Sequence, residues 1–461
     1  MLRFRPPPLR ALVLPILLLA ACTEEDPASP DSIRPGFGLS AEEWRQVSMQ
    51  VRALADERDI TPMPPRQHVR PSLVNLGRVL AFDPILSGNR DISCMTCHVP
   101  KLGTGDGRAQ SIGQGAQGLG PDRIHPSGAF IPRNAPPLFN LHLQDRLFWD
   151  GRVATEGGSF RTPAGEQLTW DMTEVFEFGA LSALPLFPVL SREEMRSTAG
   201  DNELADLPDH DARAIWAALM RRLGDIPEYR TLFERAYPGT PFGEMTFAHA
   251  SNAIAGFFVG AFTFDDAPWD RFLRGNDRAV TEEQLAGALK FMNAPCAQCH
   301  NGPTFSDDDF HNVALAQFGP GQGNGPSGRD DFGRMNVTGD PADIYKFRST
   351  PLRNVELTAP YGHAGEFNDL ARFIDHYSLS ADKLRAYRDE DIPEALLRGT
   401  LLADNIEQII AMRDPLILPV AFDSVFTREV TAFMRALTDP HARNIERWVP
   451  RRVPSGLPVE R

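Results

Sequence analysis

The sequence predicts an all-α fold built in two halves, and three observations predict it. Apolar residues recur at helical spacing in several stretches, two of which start with capping boxes at Ser40/Glu43 and Thr281/Gln284. Signals for β-strands are few and short. A pentad of the form C-x-x-C-H occurs twice, and the two copies begin 202 residues apart. The repeated pentad divides the helical chain into two units of similar size.

Each pentad is the attachment sequence of a c-type haem. The two thiols lie one helical turn apart and add to the haem vinyl groups, and the histidine that follows gives its imidazole to the iron. A zinc or redox C-x-x-C pair is the alternative, but it needs an accidental histidine after both pairs. Four of the five cysteines lie in the pentads, so we expect two covalently bound haem c groups. The attachment residues are Cys94, Cys97 and His98 in the first pentad and Cys296, Cys299 and His300 in the second.

The pattern of the chain predicts seven helices, two glycine-rich loops and two haem domains. The domains are predicted at 40–240 and 241–461, each wrapping one haem in helices around an inter-haem interface. The loop at 102–128 contains a literal G-x-G-x-x-G at 113–118, but no strand precedes it, so no dinucleotide site is expected. The second loop is at 319–333. The helices are predicted at 40–56, 73–80, 248–264, 281–293, 370–377, 394–402 and 424–437.

The N-terminus carries an export signal. Three arginines in the first ten residues precede an apolar run that is too short to span a bilayer. The run ends in L-A-A-C, which resembles a bacterial lipobox and implies removal of residues 1–21 and acylation of Cys22. An ordinary secretory peptide is the alternative. Residues 22–39 are predicted to be a tether, so we expect a periplasmic lipoprotein that meets the membrane only through its anchor.

The charge of the chain limits its partners. The formal net charge is -14 and no basic run is present, which argues against nucleic-acid binding. An acidic protein attracts a positively charged protein partner, because opposite fields steer the encounter.

Five sequence blocks flank the pentads in a fixed order. They read L-S-G-N at 86–89, R-N-A-P at 133–136, F-W-D-G-R at 148–152, P-L-R-N-V at 351–355 and T-A-P-Y-G-H at 358–363. Together they resemble the bacterial diheme cytochrome c peroxidases, including the MauG branch. The resemblance implies two cytochrome domains, hydrogen peroxide as oxidant, a reactive N-terminal haem and a C-terminal haem that passes electrons. It also implies a calcium ion between the haems.

The resemblance implies an open iron site at the N-terminal haem. Family members place a removable distal histidine sixteen residues after the proximal one, and this chain has Gln114 at that position. An amide is a poor iron ligand, so we expect a site that is open without prior reduction. The alternative is that another histidine, His125 or His142, closes the site.

The resemblance also selects an acid/base group. Pro188 matches the distal proline of the family, and Glu194 matches the glutamate six residues later, which would move a proton between the two peroxide oxygens. Glu193 is the alternative. Two departures put the peroxidase chemistry in question, because Leu184 replaces a distal glutamine and extra chain is present at roughly 155–180.

The sixth ligand of the C-terminal haem is expected to be Tyr377, seventeen residues after Pro360. Peroxidases of the family carry methionine there and the MauG branch carries tyrosine, whose phenolate favours ferric iron. His376 and Met335 are the alternatives. Trp149 matches the tryptophan between the haems and would relay electrons.

A calcium site is implied by three further matches. Asn134 would give its side-chain oxygen, and Thr358 and Pro360 would give backbone carbonyls, all of them hard donors suited to calcium. His363 is close by in sequence and is expected to contact a calcium ligand or a haem propionate. The other histidines, 68, 210, 249, 311 and 441, are interpreted as structural or surface residues.

Three functions follow from these matches. The first is a diheme peroxidase that reduces hydrogen peroxide with electrons from a small cytochrome c or cupredoxin, which enter through the C-terminal haem. The second is a MauG-like oxidase that uses high-valent haem to modify residues of a partner protein, as Gln114 and Tyr377 favour. The third is a non-enzymatic diheme electron carrier, which stays an alternative because Leu184 replaces the distal glutamine of the family.

Overall fold

A computed structural model of the chain describes residues 38–126 and 130–460. The predicted signal peptide, the predicted lipidation site Cys22 and nearly all of the 22–39 tether lie outside the described residues. Among the helices that are described, none is both long and apolar enough to cross a bilayer.

The described chain consists mainly of helices, with two small antiparallel sheets. The strands are β1 (Arg146–Leu147), β2 (Val153–Glu156), β3 (Ser159–Arg161), β4 (Phe310–His311) and β5 (Phe347–Arg348). The helices are α1 (Ala41–Glu57), α2 (Pro71–Phe82), α3 (Cys94–Cys97), α4 (Trp170–Thr173), α5 (Ala180–Ala183), α6 (Ala212–Gly224), α7 (Pro227–Ala236), α8 (Phe247–Phe262), α9 (Pro268–Leu273), α10 (Glu282–Asn293), α11 (Cys296–Cys299), α12 (Met335–Thr338), α13 (Leu370–His376), α14 (Ser380–Ala386), α15 (Ile406–Ala411) and α16 (Ser424–Ala436).

The predicted helical fold with few short strands is confirmed. Both predicted capping boxes are present, at Ser40/Glu43 before α1 and at Thr281/Gln284 before α10. The prediction of a helix at 394–402 is wrong, because that stretch forms only a single 3₁₀ turn. Gly399 there adopts a left-handed conformation with φ 85°, which a helix cannot contain.

Each pentad follows a helix that crosses a later helix in close contact. Gly77 of α2 lies against α8, where an added Cβ would be 1.8 Å from the carbonyl oxygen of Ala253. Gly287 of α10 lies against α16, where an added Cβ would be 1.9 Å from the carbonyl oxygen of Glu429. Only glycine allows backbones to approach this closely, so the same packing device occurs in both halves.

The apolar cores are interleaved along the chain. The largest core is formed mostly by α2, α5 to α8 and the connections between them, and the C-terminal segment around Ile445 and Val453 completes it. A second core is formed by the four helices α1, α9, α10 and α16. Helix α8 follows the predicted boundary at 240 yet belongs to the first core, and α1 precedes it yet belongs to the second. The domain boundaries stay predictions.

The extra chain at 155–180 forms a surface layer. Strands β1, β2 and β3 pair as an antiparallel meander, with Arg146 opposite Ala154 and Thr155 opposite Phe160. The ring of Phe160 packs edge-on against Phe176 at 5.1 Å, while Trp170 of α4 is 72% exposed. The inner side of this layer belongs to the largest core, to which it contributes Ala164, Met172, Phe178 and Ala180.

We predict that Gly77→Ala destabilises the protein, because the new methyl group must push α2 away from α8. Overpacking of this kind costs about 1–3 kcal/mol. The free energy of unfolding of the haem-containing protein, measured with guanidinium chloride, should fall by that amount. Gly243→Ala is the matched control, since an added Cβ at Gly243 meets nothing within 4 Å. Equal stability of the two variants would contradict the close crossing.

Candidate haem sites and the region between them

Each pentad forms a single helical turn that brings its thiols and its imidazole to one cavity. The amide of His98 donates to the carbonyl of Cys94 at 3.1 Å, and the amide of His300 donates to the carbonyl of Cys296 at 3.0 Å. Cys94, Cys97 and His98 line a first cavity of about 1110 Å³, open space at its mouth included. The second pentad lines a second cavity of about 1710 Å³ on the same measure.

The two pentad histidines are held in the same way. Nδ1 of His98 lies 2.9 Å from the carbonyl oxygen of Thr104, and Nδ1 of His300 lies 3.0 Å from that of Phe305. A carbonyl can only accept, so Nδ1 carries the proton in both rings and Nε2 keeps its lone pair for a metal. Burial lowers the pKa of both imidazoles, which favours the neutral form that binds iron.

The thiols do not resemble those of a redox pair. Burial raises the pKa of Cys94 and of Cys296 to about 12, whereas redox cysteines have lowered pKa values. Among the described residues, only Cys299, Asp307 and His311 have ligand atoms grouped within 4.8 Å of one another, and Cys299 is a pentad thiol. The donor set at each cavity, two thiols one turn apart and a neutral imidazole, fits haem c.

The first cavity brings together most of the predicted residues of the N-terminal site. Pro188, Glu194, Leu184 and Trp149 all line it, together with the pentad. None of residues 155–180, all of which are described, is among the lining residues of either cavity. The apolar Leu184 is therefore the one departure from the family pattern that reaches the cavity.

Glu194 is presented by a single π-helical turn, Arg192–Arg196, a feature frequent at functional sites. The hydroxyl of Ser191 caps the turn and accepts from the amide of Glu194 at 3.2 Å. Burial raises the pKa of the Glu194 carboxyl, Arg152 in the same cavity opposes this, and Glu193 adds to it. Glu193 itself is exposed and does not line the cavity. The geometry thus favours Glu194 over its alternative.

Gln114 lies outside the lining of the first cavity. Its side chain is 8% exposed, and its amide oxygen accepts from the backbone amide of Asn89 at 2.9 Å. The alternatives His125 and His142 are not lining residues of this cavity either. The structure therefore gives Gln114 a contact between two loops rather than a place beside the histidine of the first pentad.

Tyr377 is the one candidate sixth ligand that lines the second cavity. Nε2 of His376 lies 3.1 Å from the carbonyl oxygen of Val313, so this ring is engaged elsewhere. Met335 begins α12 and packs in a separate apolar cluster. Burial raises the pKa of the Tyr377 phenol, so a bound cation is needed for it to ionise.

Trp149 lines both cavities, and hydrogen bonds hold both its side chain and its backbone. Its indole Nε1 donates to the carbonyl of Asn134 at 2.8 Å, and its own carbonyl accepts from the amide of Arg348 at 2.8 Å. Asn134 and Arg348 also line both cavities. These three residues form the wall between the two sites.

A buried ion network supports this wall. Arg133 lies 2.6 Å from the carboxylate of Asp150, next to Trp149, and 2.6 Å from that of Asp331. Burial disfavours these charges, yet their mutual contacts prevail, since the pKa of Arg133 is raised and that of Asp150 is lowered. Removing one partner would leave an uncompensated buried charge, so the network holds its geometry firmly.

The three residues matched to a calcium site lie at the same cavity. Asn134, Thr358 and Pro360 all line the second cavity. The side-chain nitrogen Nδ2 of Asn134 donates to the carbonyls of Arg108 at 2.9 Å and Ala109 at 3.3 Å. The side-chain oxygen of Asn134 therefore points away from these two carbonyls. His363 lines the same cavity and lies 2.9 Å from the carboxylate of Glu366.

Two residues at the second cavity were not predicted from the sequence. His311 lines this cavity and is held between the carboxylates of Asp414 at 2.7 Å and Asp307 at 2.9 Å. Burial opposes protonation of His311, but these two carboxylates raise its pKa. Arg348 is buried between the cavities. The pairing of β4 with β5 brings both residues there, and the acidic run at 307–309 was the only local signal.

Comparison with protein families matches residues 71–278 to the family described as di-haem cytochrome c peroxidase. The cytochrome c551 peroxidase of Pseudomonas aeruginosa is 33% identical over 297 residues, which are 64% of this chain and 68% of that protein. The methylamine utilization protein MauG of Methylorubrum extorquens is 28% identical over 346 residues, which are 75% of this chain and 79% of that protein.

Solved structures show the same architecture. A MauG-like protein associated with microbial copper homeostasis has a TM-score of 0.58 and 25% identity, over 84% of this chain and 96% of that one. The diheme peroxidase BthA from Burkholderia thailandensis has a TM-score of 0.54 at 20% identity, over 83% of this chain and 95% of that one. The second likeness concerns the fold alone.

We predict that Tyr377→Phe alters the haem at His300 alone. Loss of an anionic oxygen donor removes stabilisation of the ferric state, so the midpoint potential of that haem should rise. Spectroelectrochemical titration of the holoprotein measures the change. Tyr361→Phe is the control, because Tyr361 lines the same cavity but donates its hydroxyl to the carbonyl of Val355 at 3.2 Å. An unchanged spectrum in Tyr377→Phe would exclude Tyr377 as ligand.

Proposed function

This chain belongs to the di-haem cytochrome c peroxidase family, and from that membership we propose that it reduces hydrogen peroxide with electrons that enter through the haem at His300. The balanced reaction takes one peroxide, two protons and two electrons to two waters. A small cytochrome c or cupredoxin supplies the electrons. The observation that carries the proposal is the asymmetry of the cavities, one lined by Pro188 and Glu194 and the other by Tyr377.

Each pentad holds one haem, through Cys94, Cys97 and His98 and through Cys296, Cys299 and His300. Haem bound at these residues would supply the redox chemistry of both sites. The carbonyls of Thr104 and Phe305 keep each imidazole in the tautomer that ligates iron through Nε2.

Glu194 is the acid/base group of this proposal. Its carboxylate takes the proton from the inner oxygen of peroxide and returns it to the outer oxygen, which leaves as water. Burial keeps the pKa of this carboxyl above its ordinary value, closer to neutral pH, where proton transfer in both directions is efficient. Pro188 supplies an apolar wall, and Gln114 leaves the site without a competing imidazole at that sequence position.

Trp149 provides the route between the two sites. Its indole lines both cavities, and a hydrogen bond from Nε1 to the carbonyl of Asn134 fixes its ring. An aromatic side chain at this wall passes electrons across a region that is otherwise saturated. The ion network of Arg133 keeps the ring in place.

We also propose a calcium site at the wall between the cavities. The side-chain oxygen of Asn134 and the backbone carbonyls of Thr358 and Pro360 would hold the ion, with water as the remaining ligands. Hard oxygen donors of this kind suit calcium. The backbone amide of Asn134 donates to the carbonyl of His363 at 2.9 Å. The ion would therefore stabilise two segments that are already in contact.

A second candidate function is modification of a partner protein, as the MauG-like branch implies. The observation that favours it is Tyr377 at the second cavity, since a phenolate stabilises oxidised iron. Steady oxidation of a reduced small cytochrome under peroxide distinguishes the first function. A peroxide-dependent change in the mass of a partner protein distinguishes the second.

Export and anchoring belong to the same proposal. Haem c attachment fits a periplasmic protein, and lipid on Cys22 would hold it at a membrane. Intact-mass analysis of the mature protein tests this directly.

We predict that Glu194→Gln lowers the turnover number for peroxide by about 10²–10⁴-fold, the usual contribution of a positioned acid/base group. In the wild type, activity should fall as the pH drops through the raised pKa of Glu194, above the ordinary 4.5, because the ionised form is needed. The variant should lose this limb of the pH profile.

Glu193→Gln is the control for this prediction, because it removes the neighbouring carboxylate but leaves the cavity lining intact. It should retain most of the activity. Equal losses in the two variants would remove Glu194 from its assigned role.

A further inference from the structure

Two loops meet at the turn that carries Glu194. The amide of Gly88, in the L-S-G-N block, donates to the carbonyl of Met195 at 2.6 Å. An added Cβ at Gly88 would be 2.3 Å from the carbonyl oxygen of Arg196. At Gly113, in the G-x-G-x-x-G stretch, an added Cβ would be 1.7 Å from the carbonyl oxygen of Glu193. Each glycine therefore packs its Cα directly against the backbone of this turn.

Gln114 ties the two loops to each other. Its amide oxygen accepts from the backbone amide of Asn89, next to Gly88, at 2.9 Å. A parallel contact runs from the amide of Gly115 to the carboxylate of Asp91 at 2.8 Å. In the described part of the chain the Gln114 nitrogen is buried and finds no hydrogen-bond partner, so the oxygen alone makes the contact.

A third segment connects the same loop to the turn. The side-chain nitrogen of Asn202 donates to the Asn89 side chain at 2.9 Å and to the carbonyl of Arg196 at 3.1 Å. The side chain of Asn89 also donates to the hydroxyl of Ser197 at 3.3 Å. Asn89 is thus bonded on one side to Gln114 and on the other to the end of the π-helical turn.

We propose that Gln114 is a positioning residue that fixes the turn of Glu194 through Asn89 and through the contact of Gly113. This inference rests on the proposed function only in the role it gives to Glu194. It also assigns a role to the glycine-rich stretch at 113–118, whose backbone packs against the turn that carries the acid/base group. Glu194 is the catalytic residue, and Gln114 acts through it.

The test uses Gln114→Met in the ferric holoprotein, which keeps the length of the side chain but removes the acceptor oxygen. Hydrogen–deuterium exchange should accelerate about tenfold at residues 86–91 and 192–197, as expected when one buried hydrogen bond is lost. Exchange in α8 should be unchanged. The turnover number for peroxide should fall about tenfold, with an unaltered KM for the electron donor, because only the acid/base step is disturbed.

Gln110→Met is the matched control. Gln110 is a fully buried glutamine four residues earlier, but its nitrogen donates to the carbonyls of Pro132 and Phe318, each at 3.0 Å. This variant should leave exchange at 192–197 as in the wild type. Gly113→Ala supplies a second approach, because its methyl group must displace the turn. Its turnover should fall while Gly243→Ala behaves as the wild type.

The outcomes separate this inference from the proposed function. If the wild type lacks peroxide turnover but Gln114→Met still loosens 192–197, the function fails and the positioning role stands. If the wild type turns over peroxide and the turn in Gln114→Met exchanges as in the wild type, the positioning role is overturned. Equal acceleration in Gln110→Met would also overturn it.

Discussion

The hydrogen bond from each pentad imidazole to a backbone carbonyl is the interaction on which the two sites depend. It fixes the proton on Nδ1 of His98 and of His300 and leaves Nε2 as the ring nitrogen with a lone pair for iron. Both cavities then start from the same ligand, so any difference in chemistry must come from the rest of the lining. Glu194 and Pro188 occur at one cavity and Tyr377 occurs at the other.

The two cavities share a wall of residues that line both of them. Trp149, Asn134 and Arg348 line both sites, and the buried charges of Arg133 and its carboxylate partners hold the Trp149 segment. Such a network is costly to bury, and its value lies in fixing one geometry. The turn of Glu194 is also held in one geometry, by the close backbone contacts of Gly88 and Gly113 and by the side-chain hydrogen bonds of the two loops around it.

Local patterns predicted what depends on local structure. The pentads, the capped helices α1 and α10 and the apolar α8 follow from spacing and capping alone. The prediction of a helix at 394–402 was wrong because Gly399 adopts a left-handed conformation that a helix cannot contain. Residues brought in by long-range pairing were missed, as with His311 and Arg348 on β4 and β5. Gln114 has the family's distal-ligand position in sequence, but spacing alone could not show that its side chain accepts from the amide of Asn89.

The central claim is the asymmetry of the two haem sites. Electron paramagnetic resonance of the fully oxidised holoprotein tests it most directly, because the spin state of ferric haem reports the number and strength of its axial ligands. The account predicts a high-spin signal from the haem at His98 and a separate low-spin, six-coordinate signal from the haem at His300. Two low-spin signals, or two high-spin signals, would contradict it.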